Sequence, residues 1–271
     1  MFKKIIHILT NLHKVPIKIF NKLKFFYYKS FGNKEFFVNK QIECFSNADL
    51  DWTNGKKKLN EIKKKFDIPD REMSSEHEII FSSISLNRSY KIKEILEIGT
   101  FDGINAFLLS KIFPDAKIDT IDLSNDDYDF KTFYNRKHIV DNFIEKRDSI
   151  LNKSKNINFI QMNSLQLINH KKKYDLIWID GAHGYPVVCI DIINSLKISE
   201  KNGIILCDDV YVHRNHSTSD KMYKSNATHE TLDILNKQNL INYKLIYKRI
   251  SPEYNCIENE KKFIAFCSKN D

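Results

Sequence analysis

Two short stretches carry the residue types best suited to chemistry. One reads IDGAHGY from Ile179 to Tyr185 and holds Asp180 and His183; the other reads CDDVYVH from Cys207 to His213 and holds Asp208 and Asp209. Each sits at the end of an apolar run of strand-like composition. An imidazole titrates near neutrality, so His183 suits the removal of a proton from an acceptor hydroxyl, with Asp180 beside it. Three unpaired acids crowded together repel. A hard divalent cation such as Mg²⁺ would relieve that with an octahedral shell of carboxylate and water oxygens, so Asp180, Asp208 and Asp209 are the expected metal ligands. The same spacings also fit plainer roles: His183 as a helix cap or a further ligand, and the Asp pair as a helix cap or a clamp for a substrate amine. Tyr185 reads as packing or as substrate lining.

A third stretch, EILEIGTFDG from Glu94 to Gly103, places a tight turn directly behind a strand. Gly99 and Gly103 let the backbone turn sharply and approach a ligand, and the helix that follows offers its amino terminus. The turn lacks the middle glycine of a dinucleotide fingerprint, and Asp102 would repel a diphosphate. A ligand with positive charge fits better, and the zwitterionic methionine end of S-adenosylmethionine has it. Asp122 closes the next strand, where paired acceptor oxygens would hold a ribose diol.

These residues need a sheet to bring them together. Short apolar runs at 94–98, 117–122, 157–161, 174–179 and 203–208 alternate with segments long enough for crossover helices. That rhythm predicts an α/β fold, a Rossmann-like, mostly parallel sheet with helices on both faces. Runs at 242–249 and 261–267, separated by a short connection, predict an antiparallel hairpin at the sheet edge and bring the count to seven strands. Ligands of such sheets bind beyond the carboxyl ends of the strands, so Gly99, Asp122, Asp180 and the Asp208/Asp209 pair should surround one pocket. Helical patterns lie at 56–66 and 73–87, with weak periodicity over 35–55. The expected division is a basic amphipathic arm over 1–34, a helical lead-in over 35–90 and the catalytic domain over 91–271.

Charge is distributed unevenly along the 271 residues. Residues 1–34 hold eight lysines and no acid, which leaves 35 Lys and Arg against 35 acids elsewhere. A neutral body lacks the basic face that duplex or transfer RNA demands, and neither a Pro-Pro-aromatic nor a Pro-Cys motif occurs at the expected place, so no nucleic-acid substrate is expected. The arm interleaves its lysines with Ile, Leu, Phe and Tyr, a pattern that fits an anionic membrane surface or a helix docked on the domain, on a partner or in a homo-oligomer. No run approaches the length of a membrane span, and five widely spaced cysteines read as reduced thiols. The expected location is cytoplasmic, with peripheral attachment at the inner face of the membrane as an option. Residues 211–229 are polar and unpatterned, and read as a lid in which His213, His216 and His229 are solvated.

The chain resembles the class I S-adenosylmethionine-dependent methyltransferases over about residues 73–267. EIGTFDG looks like their first motif, Asp122 like their ribose-binding acid and the final hairpin like their reversed edge strand. The resemblance implies that Glu97, Gly99, Thr100, Phe101, Asp102 and Gly103 surround the methionine end. It further implies that Asp122 and Leu123 hold the ribose, and that Asn163 and Ser164 border the adenine. DGAH-x-Y followed by a strand ending in Asp-Asp is similar to a bacterial methyltransferase-domain family and to the cation-dependent O-methyltransferases, including a branch that acts on sugar hydroxyls. It implies O-methylation of a small-molecule or glycan hydroxyl, with Mg²⁺ or a similar ion held by Asp180, Asp208 and Asp209. In catechol-type relatives a lysine is the base, and this chain offers His183 there. The alternatives are a metal-independent N-methyltransferase of a small molecule, or a non-catalytic cofactor-binding scaffold at the membrane.

Overall fold

Aliphatic residues fill both faces of each central strand, and the strand pleat splits the core into two layers. In β1 (Glu94–Ile98) and β4 (Tyr174–Ile179), Ile95, Leu176 and Trp178 enter one layer, whereas Leu96, Ile98, Ile177 and Ile179 enter the other. The computed structural model describes residues 15–70, 75–132, 140–213 and 225–270. Seven strands form one sheet in the order β3-β2-β1-β4-β5-β7-β6, with β2 at Lys117–Asp122, β3 at Ile157–Gln161, β5 at Ser199–Val210, β6 at Ile241–Tyr247 and β7 at Phe263–Lys269. β1 to β5 pair in parallel. The order reverses between β1 and β4, which sets the crevice for a ligand above Ile98 and Ile179.

The expected antiparallel pair closes the sheet at its edge, with the reversed β7 between β5 and β6. The connection from β6 to β7 is longer than expected and holds a short helix, Pro252–Asn255, and a 3₁₀ turn, Glu258–Glu260. Pairing with β5 buries β7 on both sides, and Ile264, Ala265 and Cys267 are almost fully buried as a result.

The lead-in is more helical than its weak periodicity implied. After α1 (Val15–Phe31), α2 runs from Lys34 to Asn47, capped by Asn33, whose side chain accepts from the Phe36 amide at 3.0 Å. α3 (Trp52–Phe66) and α4 (His77–Leu86) follow. Phe45, Trp52, Leu59, Ile80, Phe81 and Ile84 are buried in the same layer as Ile95 and Trp178, so the lead-in completes the sheet's core. Fully burying side chains of this size contributes roughly 1.5–3 kcal/mol each. α1 touches the rest of the chain through Phe25, whose ring meets Tyr254 at 5.8 Å, and through the Gly32 turn packed on Pro252. Among the described residues no helix is long and apolar enough to cross a membrane, and all five cysteines are free thiols.

Candidate active site

The turn between β1 and α5 (Ile104–Ile112) is tied to β2 by its own amides. Gly99 and Thr100 both donate to the Ile121 carbonyl, and the Phe101 amide donates to Asp122 Oδ2 at 2.9 Å. Gly99 has φ +104°, and a Cβ there would lie 2.3 Å from the Asp180 carbonyl oxygen, so glycine is what lets the ends of β1 and β4 close up. Gly103, at φ +76°, begins α5, and Asp102 Oδ1 accepts from the Ile104 amide at 3.1 Å. Asp122 Oδ1 accepts from its neighbour Leu123 at 2.8 Å, so each carboxylate oxygen has one backbone donor and a lone pair to spare for a diol. Phe101 is exposed, its ring 5.3 Å from Phe143 of α7 (Val140–Leu151). Gly99, Phe101, Asp102, Gly103, Asp122 and Leu123 thus share one rim. The spare lone pairs of the two Asp122 oxygens fit the diol of a nucleoside.

Two residues expected to border the cofactor lie beneath the turn instead. Glu97 is fully buried and accepts from Asn105 Nδ2 at 2.7 Å and Thr120 Oγ1 at 2.5 Å. Thr100 is buried too, its hydroxyl 2.6 Å from that of Thr120. The cause is the pleat: Glu97 points the same way as Ile95, into the layer under α4. His77 Nε2 lies 3.2 Å from Asn105 Oδ1 and extends this network into the lead-in.

On β5 the acid pair owes its placement to a bulge. Successive residues of a regular strand face opposite sides. Here the β5–β7 register slips between Cys207 and Val210, and Asp209 adopts φ 51°, so both Asp208 and Asp209 reach the same cluster. They do not reach it unpaired. Lys248 Nζ donates to Asp208 Oδ2 and Asp209 Oδ1, each at 2.5 Å, and Lys262 Nζ donates to Asp209 Oδ2 at 2.6 Å. The reversed β7 brings this about, because it starts at the rim where β5 and β6 end, and the Lys248 amide donates to the Lys262 carbonyl at 3.0 Å. Where a divalent ion was expected on Asp180, Asp208 and Asp209, an ammonium bridges the Asp208/Asp209 pair. Among the described residues no group of three or more His, Cys, Asp or Glu could hold a metal.

Electrostatics follow the same geometry. Burial alone would lower the Lys248 pKa, but Asp208, Asp209 and Asp180 hold it well above the ordinary lysine value. Burial would raise both acids of the pair, yet Lys248 above all keeps Asp208 and Asp209 below the usual carboxylate range. Asp180 differs: burial, then the charge of Asp208, push its carboxyl up to about 6. His183 Nε2 stands 3.5 Å from Asp180 Oδ1, and although burial opposes a charge there, Asp180 and Asp209 raise the imidazole above its ordinary value. The two differ in access. The Asp180 side chain is 36% exposed and that of His183 only 6%. Behind them, burial pushes Asp191 of α8 (Val187–Ile198) up to about 6, with the Ser164 hydroxyl beside it.

Other expected residues are placed as follows. Asn163 accepts from the Leu165 amide at 3.0 Å and starts a 3₁₀ turn, Ser164–Asn169, beside the end of β2, where Met162 donates to the Asp122 carbonyl. Tyr185 is exposed and donates to Glu230 Oε2 at 3.1 Å. His213 lies 3.5 Å from Glu258 and His229 lies 3.3 Å from the Tyr243 hydroxyl, while His216 and most of the expected lid fall outside the described residues. Lys248 and Lys262 were not anticipated, since each reads as the charged end of a strand. Nor was the grip on Lys248 by the lead-in: Gln41 bonds both the amide and the carbonyl of Tyr247, and the Glu76 amide donates to the Lys248 carbonyl at 2.9 Å. A pocket of about 510 Å³ lined by Lys201, Phe266 and Lys269 opens at the opposite rim, away from these groups.

Strand order, the reversed β7 and the glycine turn after β1 define the class I methyltransferase fold. Residues 96–210 match a family described as "Methyltransferase domain". No curated protein matches the chain. Among solved structures it is similar to the O-methyltransferase TomG of Streptomyces achromogenes, involved in tomaymycin synthesis and in complex with SAM, at 16% identity and TM-score 0.51 over 80% of this chain and 90% of that one. A putative O-methyltransferase from Klebsiella pneumoniae gives 14% identity and TM-score 0.51 over 79% and 88%. An SAH-bound methyltransferase of Podospora anserina gives 19% identity and TM-score 0.50 over 88% and 97%. At these identities the likeness establishes the fold.

Proposed function

We propose that the chain transfers a methyl group from S-adenosylmethionine to a hydroxyl oxygen of a small molecule or a saccharide. The observation that carries this reading is the shared rim. The Gly99 cradle lies against the Asp180 backbone, so a nucleoside held by Asp122 would present its reactive end beside Asp180 and His183. The SAM complex of TomG and the SAH complex of the Podospora protein support the cofactor, and the description of TomG and of the Klebsiella protein as O-methyltransferases supports oxygen as the acceptor. When bound, S-adenosylmethionine supplies a methyl carbon on a positively charged sulfur that leaves as a neutral thioether. The protein's part is to align the acceptor oxygen and to remove its proton. Exposure divides that task. Asp180 faces the acceptor, and His183, buried behind it, positions the carboxylate and takes up charge with it. Titration calorimetry with S-adenosylmethionine, followed by SAH release across a panel of hydroxyl acceptors, tests the reading. Absence of binding at millimolar cofactor would refute it.

A second element concerns where the acceptor is met. Ile17, Phe20, Leu23, Tyr27 and Phe31 line one side of α1 and are each more than half exposed. Lys22 and Lys29 are exposed on the flank, and residues 1–34 contain no acid. An apolar strip edged by lysines matches an anionic lipid surface, where each lysine contributes on the order of 1 kcal/mol. The full chain should co-sediment with phosphatidylglycerol vesicles and not with phosphatidylcholine vesicles, and the double variant Phe20→Asp/Leu23→Asp should stay in the supernatant. Equal binding by that variant would defeat this proposal, as would dimerisation through the strip in vesicle-free solution.

A further inference from the structure

We infer that Lys248 is the resident cation of this active site, standing where its acid cluster would otherwise require a divalent metal. The inference rests on the methyltransferase reading and goes beyond it by assigning the counter-charge and the metal-independence of the transfer. Three observations carry it. First, Lys248 Nζ lies within 2.5 Å of one oxygen from each of Asp208 and Asp209, and Lys262 takes a second oxygen of Asp209. Among the described residues, Asp208 Oδ1 is buried and is the oxygen of the pair with no hydrogen-bond donor. A single remaining acceptor is far short of a six-oxygen shell. Second, the pair already has two fixed cations as partners: Asp208 and Asp209 are met by Lys248 and Lys262, and a further doubly charged ion would have to displace or adjoin both ammonium groups. Third, Lys248 is held in place from outside the sheet. The Glu76 amide bonds its carbonyl, Gln41 bonds Tyr247 on both sides, and Trp52 Nε1 fixes the Glu76 carboxylate at 2.6 Å. A solvated surface lysine has no such frame. Lys248 therefore acts as a positioning residue: it fixes the bulged carboxylates and sets a positive potential behind Asp180, the role a metal would otherwise fill.

The test compares Mn²⁺ binding, by electron paramagnetic resonance of the free ion, in the full-length wild-type chain and in Lys248→Ala, with Lys248→Gln as the second variant should the alanine form fail to fold. The wild type should show no saturable Mn²⁺ binding, and its methyl transfer should be unchanged by EDTA. Removing the ammonium opens the carboxylates to a competing cation, so the variant should bind Mn²⁺ on the order of tenfold more tightly or better. Lys248→Arg, which keeps the charge, should behave as the wild type. Saturable Mn²⁺ binding by the wild type, or none by a folded Lys248→Ala or Lys248→Gln protein, overturns the inference. S-adenosylmethionine titration of the same samples keeps the two readings apart, because the Mn²⁺ result decides the role of Lys248 even if the cofactor does not bind.

Discussion

Asp122 and the Asp208/Asp209 pair occupy equivalent places, each at or beside the carboxyl end of a parallel strand on one rim, yet they live in opposite surroundings. Asp122 is half-buried and meets neutral backbone amides from Phe101 and Leu123. Amides steer a carboxylate without neutralising it, so its remaining lone pairs stay available to a ligand. Asp208 is buried and Asp209 half-buried, both against ammonium groups from Lys248 and Lys262. A buried acid needs a full counter-charge, and these lysines consume what the acids could offer a metal. Position in the fold tells where an acid sits; the company it keeps decides whether it binds ligand or holds structure.

The comparison breaks first at Lys248. Lys248→Met leaves the two carboxylates facing each other without their main partner, which costs roughly 3–5 kcal/mol. At roughly 2–4 °C per kcal/mol for a chain of this size, the melting temperature should fall by about 10 °C. A variant melting with the wild type would mean that the acids are solvated and the lysine dispensable. Gly99→Ala follows. Its Cβ would sit 2.3 Å from a backbone oxygen at a φ of +104°, a loss on the order of 2–4 kcal/mol. Because the turn is also the cofactor cradle, S-adenosylmethionine affinity should drop with stability. Calorimetry on the folded fraction would separate the two losses.

Most of the fold was legible because the strands are short, apolar and bounded by breaks; β1 to β4 occupy the residues their composition marks out. What escaped depends on distant pairing. α2 buries chiefly Gln41 and Phe45, too few residues to print a helical period, and Asn33 is the local signal that marks its start. The place of β7 inside the sheet cannot be read from its own residues, since a strand reads alike at the edge and one place in. Lys248 follows β6 and Lys262 precedes β7, so only the reversed pairing brings them to acids that lie some forty residues or more upstream. Glu97 is placed near the methionine end by the family resemblance alone, and its inward direction is set by the pleat of β1, which the turn motif does not display.

A middle-sized effect sharpens the contrast without breaking the fold. Asp122→Asn keeps an acceptor for a backbone amide but weakens the hold on a diol, so cofactor affinity should fall about tenfold, or ~1.4 kcal/mol, with the melting temperature nearly unchanged. Asp208→Asn should do the reverse, lowering the melting temperature while cofactor affinity stays within a factor of about two. Matching losses in both assays for both variants would erase the distinction between a ligand-facing acid and a lysine-held one.

The smallest effect comes from a third acid that serves as a control. Asp119 on β2 is held by Lys172 at 2.8 Å, Asn158 Nδ2 at 2.8 Å and the Tyr174 hydroxyl at 2.7 Å, away from the rim. Burial alone would raise its carboxyl, but those donors, Lys172 foremost, keep it below the ordinary value. A folded-state pKa below the unfolded one, about 3.9, stabilises the protein above that pH, and the contribution disappears as pH falls through the lower folded value. Lys172 is about a third exposed, so solvent screens the pair and Asp119→Asn should cost only ~1 kcal/mol at neutral pH. Its melting temperature should also depend less steeply on pH below about 4 than that of the wild type. Methyl transfer at neutral pH should be unaffected, which separates it from the lysine-held pair at the rim. If Asp119→Asn slowed transfer, lysine pairing of acids in this sheet would act on activity through stability, and Lys248 would lose its special standing.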